Sequence, residues 1–143
     1  MIDLKKEFKQ LGQSAVRKVR DSLTNNNRNA TGKTSQAIRS TSDNNGFIVY
    51  APNHVQALQD GRKPSNGSGG NTGGFFQQIV EWCRARGIDE GAAYPIYRKI
   101  NQKGYKGTPN LLNNPLKDIT ETTKIVLSVA LKKDILDKLK ISK

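Results

Sequence analysis

The sequence predicts an α+β fold: a small antiparallel sheet built on a β-hairpin, packed with an N-terminal helix, two middle helices and a long C-terminal helix. Three observations carry this. Apolar residues recur at three- and four-residue steps at both ends of the chain. A β-rich run follows an Asn-Gly pair near residue 46. Two further amphipathic stretches occupy the middle, each closed by a glycine.

The first helix is expected over residues 2–23. Leu4, Phe8, Leu11, Ala15, Val19 and Leu23 fall on one face, with Lys and Arg between them. Asp3 is the candidate N-cap, where its charge suits the positive end of the helix dipole. "TNNNRNATG" ends the helix, because Asn, Thr and Gly compete for backbone hydrogen bonds.

Two antiparallel strands are expected next, over about 35–42 and 46–51. The first alternates loosely, and Phe47–Ala51 is β-rich. Asn45-Gly46 signals a tight hairpin because both residues tolerate positive φ. Pro52 stops the second strand, and "NHVQALQDG" reads as a short helical turn closed by Gly61. Residues 62–74, rich in Gly and Ser, read as a flexible loop within one domain.

"GFFQQIVEWCRARGI" then reads as an amphipathic helix, with Phe76, Ile79, Val80 and Cys83 on one face and Gly87 as its stop. "DEGAAYPIYRKINQKG" gives another, with Ile96, Tyr97 and Ile100 inward, Pro95 near its first turn and Gly104 at its end. "YKGTPNLLNNP" reads as irregular turns. From Leu116 onward, Leu116, Ile119, Thr123, Val126 and Ala130 suit one long helix that continues through Ile135 and Leu139. The β-branched "KIVLSVAL" within it would also suit an edge strand.

Composition narrows the function. The chain has 143 residues, so one domain is the natural expectation. With 24 basic against 12 acidic residues its net charge is +12, which favours nucleic acid, an anionic membrane or an acidic protein surface as company. The excess is spread along the chain, which suits generally solvated faces at least as well as a dedicated site. Cys83 is the single cysteine, so no internal disulfide forms, and it reads as a small core residue. No apolar run approaches the ~20 residues that span a bilayer, and the N-terminus lacks the apolar core of a signal peptide. Synthesis in a reducing cytoplasm is expected.

The eight residues "NATGKTSQ" at 29–36 invite three readings. Gly32-Lys33-Thr34 resembles the tail of a phosphate-binding loop, but the first glycine of that motif would stand at Asn27. The loop also follows an expected helix and precedes an expected strand, the reverse of a phosphate loop. Asn29-Ala30-Thr31 is a glycosylation sequon, without a secretory signal to make it meaningful. A polar turn is the remaining reading. His54 is the one histidine, so a zinc site lacks the several ligands that it needs in one place, and as the only candidate base for a nucleophilic triad it sits in a short polar turn. The adjacent Asp89 and Glu90 suit a helix start. No enzymatic activity, cofactor or metal is expected.

Basic side chains are the remaining candidates for contact with DNA or a partner: Lys33, Arg39, Arg62, Lys63, Arg98, Lys99, Lys103 and Lys106. Several lie among Tyr94, Tyr97 and Tyr105, a mixture that can stack bases and meet phosphates. The same mixture arises on an amphipathic helix with packed tyrosines and solvated basic ends, and this reading is preferred because no recognisable nucleic-acid motif accompanies it.

The order of these pieces resembles the tail-completion, or head–tail joining, proteins of long-tailed bacteriophages, a family of neck and minor tail proteins. The resemblance runs over about residues 1–140. Thr31-Gly32 and Ile38 match the family's entry into its first strand, and Tyr50 and Gly61 match its tyrosine, short segment and glycine. Ile79, Trp82 and Gly87 match a helix with a central tryptophan, and Ile96, Arg98, Ile100, Gly104 and Leu111-Leu112 match a following "I-x-R-x-I … G … L" stretch. Two departures are Gln59, where the family often has Glu two residues before the glycine, and a longer Gly/Ser loop. The resemblance implies a structural virion protein in a homo-oligomeric ring, sixfold to match a hexameric tail tube. Such a ring lies at the neck between portal or connector and tail, with double-stranded DNA passing through its lumen. It gives Gly32, Tyr50, Gly61, Trp82, Gly87 and Gly104 structural roles. The alternative is a basic DNA- or RNA-binding accessory protein without enzymatic activity.

Overall fold

The computed structural model describes residues 2–65 and 74–141. Most of the expected loop, residues 66–73, lies outside the described residues. The described residues are helix-rich, with two small antiparallel sheets among them, and the α+β class holds.

Helix α1 spans Leu4–Asn25. Asp3 caps it as expected, its carboxylate accepting from the Lys6 amide at 3.1 Å. Phe8, Leu11, Ala15, Val19 and Leu23 are buried, so the periodic face is the core face. The helix stops where Asn27 takes a φ of 56° and the Arg28 amide returns to the Leu23 carbonyl.

A short helix α2, Lys33–Ala37, follows Gly32. It corrects the expected strand over 35–37, and with it one ground against the phosphate-loop reading, since the loop leads into a helix after all. The missing glycine at Asn27 and the preceding helix still separate it from that motif. Five residues carry too little periodicity to show in the sequence, and one fully buried side chain, Ile38, anchors the segment.

The hairpin is β1, Arg39–Ser42, against β2, Phe47–Tyr50, with Ser42 opposite Phe47 and Arg39 opposite Tyr50. Its turn differs from the expected Asn-Gly type. Neither Asn45 nor Gly46 has positive φ. The Asp43 carboxylate instead accepts from the amides of Asn45 and Gly46, at 2.7 and 3.0 Å, so a side chain supplies the turn.

Helix α3, His54–Asp60, ends at Gly61 as expected. Strand β3, Gly61–Arg62, pairs with β4, Tyr105–Lys106, a contact that the irregular reading of 105–115 missed. Between them come α4, Phe75–Ala85, one 3-10 turn at Glu90–Ala92, and α5, Ala93–Lys103.

Helix α6 spans Asn113–Ile141, so 123–131 are helical and the strand alternative falls. It runs antiparallel to α1: the Ser22 hydroxyl donates to the Leu111 carbonyl at 2.6 Å, and Lys18 reaches Asp118 at 3.4 Å. Ile119 is buried, but Leu116, expected inward, is 48% exposed. The inward residue one turn before Ile119 is Pro115.

Two apolar clusters result. The larger joins α1 to Ile38, Val55, Leu111 and Ile119. The smaller joins Ile79 and Cys83 of α4 to Ala93 of α5, with Phe76, Ile96 and Ile100 packed around it.

Candidate functional site

The most informative local geometry is the β3–β4 crossing. Gly61 has a φ of 85° and Gly104 of 68°, values that L side chains rarely adopt. A Cβ on Gly61 would lie 2.5 Å from the Tyr105 carbonyl oxygen, and one on Gly104 would overlap the Arg62 carbonyl. Two glycines distant in sequence are thus required at one place.

The crossing also gathers charge. Arg62 pairs across the strands with Tyr105, and Gly61 with Lys106. The Ser65 amide donates to the Asn101 carbonyl at 2.9 Å, which lays residues 61–65 along the end of α5. Arg62, Lys63, Lys103 and Lys106 therefore lie around one small region. Lys63, Lys103 and Lys106 are exposed and form no ion pair among the described residues. The Arg62 guanidinium instead covers the Phe75 ring at 4.1 Å, which orders it but leaves its charge uncompensated.

The other sequence candidates separate. Lys99 is four residues from Lys103 and shares its side of α5, whereas Arg98 projects from another. Lys33 is paired with Glu81 at 2.7 Å, which ties α2 to α4. Arg39 lies over the Tyr50 ring at 5.5 Å on the hairpin. Neither belongs to the crossing.

The tyrosines divide in the same way. Tyr97 packs against Phe75 and Phe76, with ring centroids 5.8 and 5.5 Å away, so its faces are used inside the small cluster. Tyr94 is exposed, and Tyr105 is partly covered in β4. The interleaved platform that the sequence suggested is not assembled.

Gly32 and Gly87 both take positive φ, the first before α2 and the second after α4. Trp82 is 39% exposed on α4, while its neighbour Cys83 is fully buried. His54 meets the Thr34 hydroxyl at 3.0 Å. Among the described residues no cluster of three or more His, Cys, Asp or Glu could hold a metal, and no helix is long and apolar enough to cross a membrane.

Sequence reasoning missed Gln59. Its side-chain oxygen accepts from the amides of Leu112 and Asn113, at 2.8 and 3.1 Å, at the start of α6. Nothing local to residues 53–61 marks it, because its partners stand more than fifty residues further along the chain.

The hydrogen bond and charge of Glu90 push Arg84 above its ordinary value, which leaves an already permanent cation unchanged. Asp134 is held below the usual carboxylate value, first by its hydrogen bond from Lys138, 2.8 Å away, and further by the charge of Lys138 and the Ile2 amide. Comparison with protein-family models, curated proteins and solved structures gave no match.

Proposed function

We propose that the chain is a structural assembly protein: a subunit of a homo-oligomeric ring at the neck of a tailed bacteriophage, joining the DNA-filled head to the tail. The observation that carries this reading is the ordered motif set, of which Gly61 and Gly104 meet at the β3–β4 crossing. Two positions of the family pattern thus serve one tight backbone contact, as parts of a shared fold would. The Gln59 cap supports it too, since the acceptor at that position can be Gln or Glu with the same result. In the ring, neighbouring subunits and the portal or connector cover surface that a small core leaves open, and the +12 charge meets acidic neighbours or DNA in transit.

The test is removal of the gene from the phage that encodes it. Filled heads and separate tails are expected, and normal virions would reject the reading.

One observation favours a second reading. Lys63, Lys103 and Lys106 lie around the crossing without acidic partners among the described residues, as a site for nucleic-acid phosphates would require. A free DNA- or RNA-binding protein would show sub-micromolar affinity near physiological salt and a steep salt slope. Negligible binding by the isolated chain removes this alternative.

A further inference from the structure

The β3–β4 crossing concentrates charge of one sign. Strand β3 comes from residues 61–80 and β4 from residues 91–117, two runs without an Asp or Glu, the second being the longest such run in the chain. Pairing them brings Lys63 to the segment that carries Lys103 and Lys106: a Cβ on Gly104 would lie 3.1 Å from the Lys63 carbonyl carbon. Lys99 stands one turn before Lys103 on α5. From beyond the end of α1, the Arg28 side chain donates to the Thr108 hydroxyl at 2.8 Å, two residues after Lys106. The nearest acid in sequence, Asp60, accepts from the Gln56 side-chain amide at 2.6 Å and forms no ion pair with these cations among the described residues. Charge that is spread along the sequence is thus collected by the fold.

We infer that the crossing is a contact surface for double-stranded nucleic acid, met through its backbone phosphates without reading of the bases. The proposal rests on the site that favours the second reading above and narrows its ligand. Lysine ammonium groups are point charges suited to phosphates, and lysine is depleted from the centres of protein interfaces. Such centres are built on aromatic and apolar anchors. Among the described residues, none of the large exposed apolar side chains lies within 61–65 or 98–108, so an acidic protein would find charge there but no anchor.

Single strands are excluded on different grounds. They are held by bases stacked on aromatic rings. Here Phe75 and Phe76 enclose Tyr97, and the Arg62 guanidinium covers the Phe75 ring. A duplex keeps its bases stacked inside and presents one negative charge per ~1.7 Å of its axis, so lysines meet it without a platform. Contacts of this kind position a duplex and carry no sequence information.

Titration of the full chain into a labelled DNA duplex across a salt series tests the inference. With roughly four or five phosphate contacts, the logarithm of the binding constant should fall against that of salt with a slope of about −4. A Kd of roughly 1–100 µM is expected near physiological salt, the same for two unrelated sequences. Lys63→Gln/Lys103→Gln/Lys106→Gln should weaken binding at least ~10-fold at low salt and flatten the slope by roughly 2–3. Lys117→Gln/Lys124→Gln/Lys132→Gln removes the same charge from exposed, unpaired positions of α6, and should change Kd by less than ~3-fold. Lys99→Gln/Lys103→Gln, confined to α5, should weaken binding with the strands untouched. Equal losses in the two triple variants would mean that net charge alone binds, and would overturn the inference. So would tighter binding of a single strand, a preference for one sequence, or binding to anionic vesicles with none to the duplex at low salt. Micromolar binding upholds the inference while removing a free high-affinity nucleic-acid-binding protein. Normal virions from the gene knockout would reject the neck reading and leave this one standing.

Discussion

The side-chain oxygen of Gln59 accepts a hydrogen bond from the amide of Leu112 at 2.8 Å, fifty-three residues along the chain. Asn113 donates to the same oxygen. A residue at the end of α3 thus satisfies amides at the start of α6, where the first turn of a helix has no internal acceptors. Gln59→Ala should cost about 1 kcal/mol in urea unfolding, the usual value of a lost cap. Gln59→Glu should keep the cap and gain from the helix dipole at neutral pH, so it should match or exceed the native stability.

Gly61 and Gly104 should be among the least replaceable surface positions. Either alanine adds ~1–3 kcal/mol of strain in an extended positive-φ conformation that glycine alone adopts readily, and drives a methyl group into backbone across β3–β4. A loss of about 3 kcal/mol or more is expected for each variant. A change below ~0.5 kcal/mol in chemical denaturation would mean that the crossing is not part of the stable structure.

Leu23 and Leu116 look alike in the apolar pattern but should behave differently. Leu23 is fully buried and Leu116 is 48% exposed. Leu23→Ala should destabilise by ~2–5 kcal/mol, and Leu116→Ala should fall within ~0.5 kcal/mol of native. Comparable losses at both sites would contradict the orientation of α6.

Asp134 gives the pH dependence a sign. Its carboxyl titrates below its ordinary value in the folded chain, because Lys138 favours the charged form. The unfolded chain therefore binds this proton more readily, and acid favours unfolding. Its contribution is full above the ordinary carboxylate range and is lost as pH falls through the depressed folded value. Thermal melts from neutral to acidic pH should show this loss, and Asp134→Asn should make the acid limb shallower. An unchanged acid limb would exclude Asp134 as a contributor.

Long elements were legible because their physics is local. The face of α1 and the continuity of α6 follow from periodic side chains, and Asp3 announces its own cap. Short elements were not. Strands β3 and β4 have two residues each, and nothing within either one predicts its partner. The hairpin was found for a partly incorrect reason: Asn45-Gly46 suggested positive φ, while Asp43 makes the turn. The same limit applied to the candidate site. Lys63 and Lys106 could be named as basic residues, but only the crossing brings them together. Tyr97 looked available for stacking, and Phe75 and Phe76 enclose it.

The separation of the two apolar clusters has a consequence for how the chain opens. Helices α4 and α5 bury their shared face mainly against each other, away from the cluster that joins α1 to α6. Their described links to the remainder include the β3–β4 pairing, the exposed Lys33–Glu81 ion pair and a hydrogen bond from Arg86 to the Asn27 carbonyl. Exposed pairs of this kind hold weakly. Hydrogen exchange should therefore resolve two cooperative units, with the amides of α4 and α5 released through a cheaper opening while those of α1 stay protected until the whole chain unfolds.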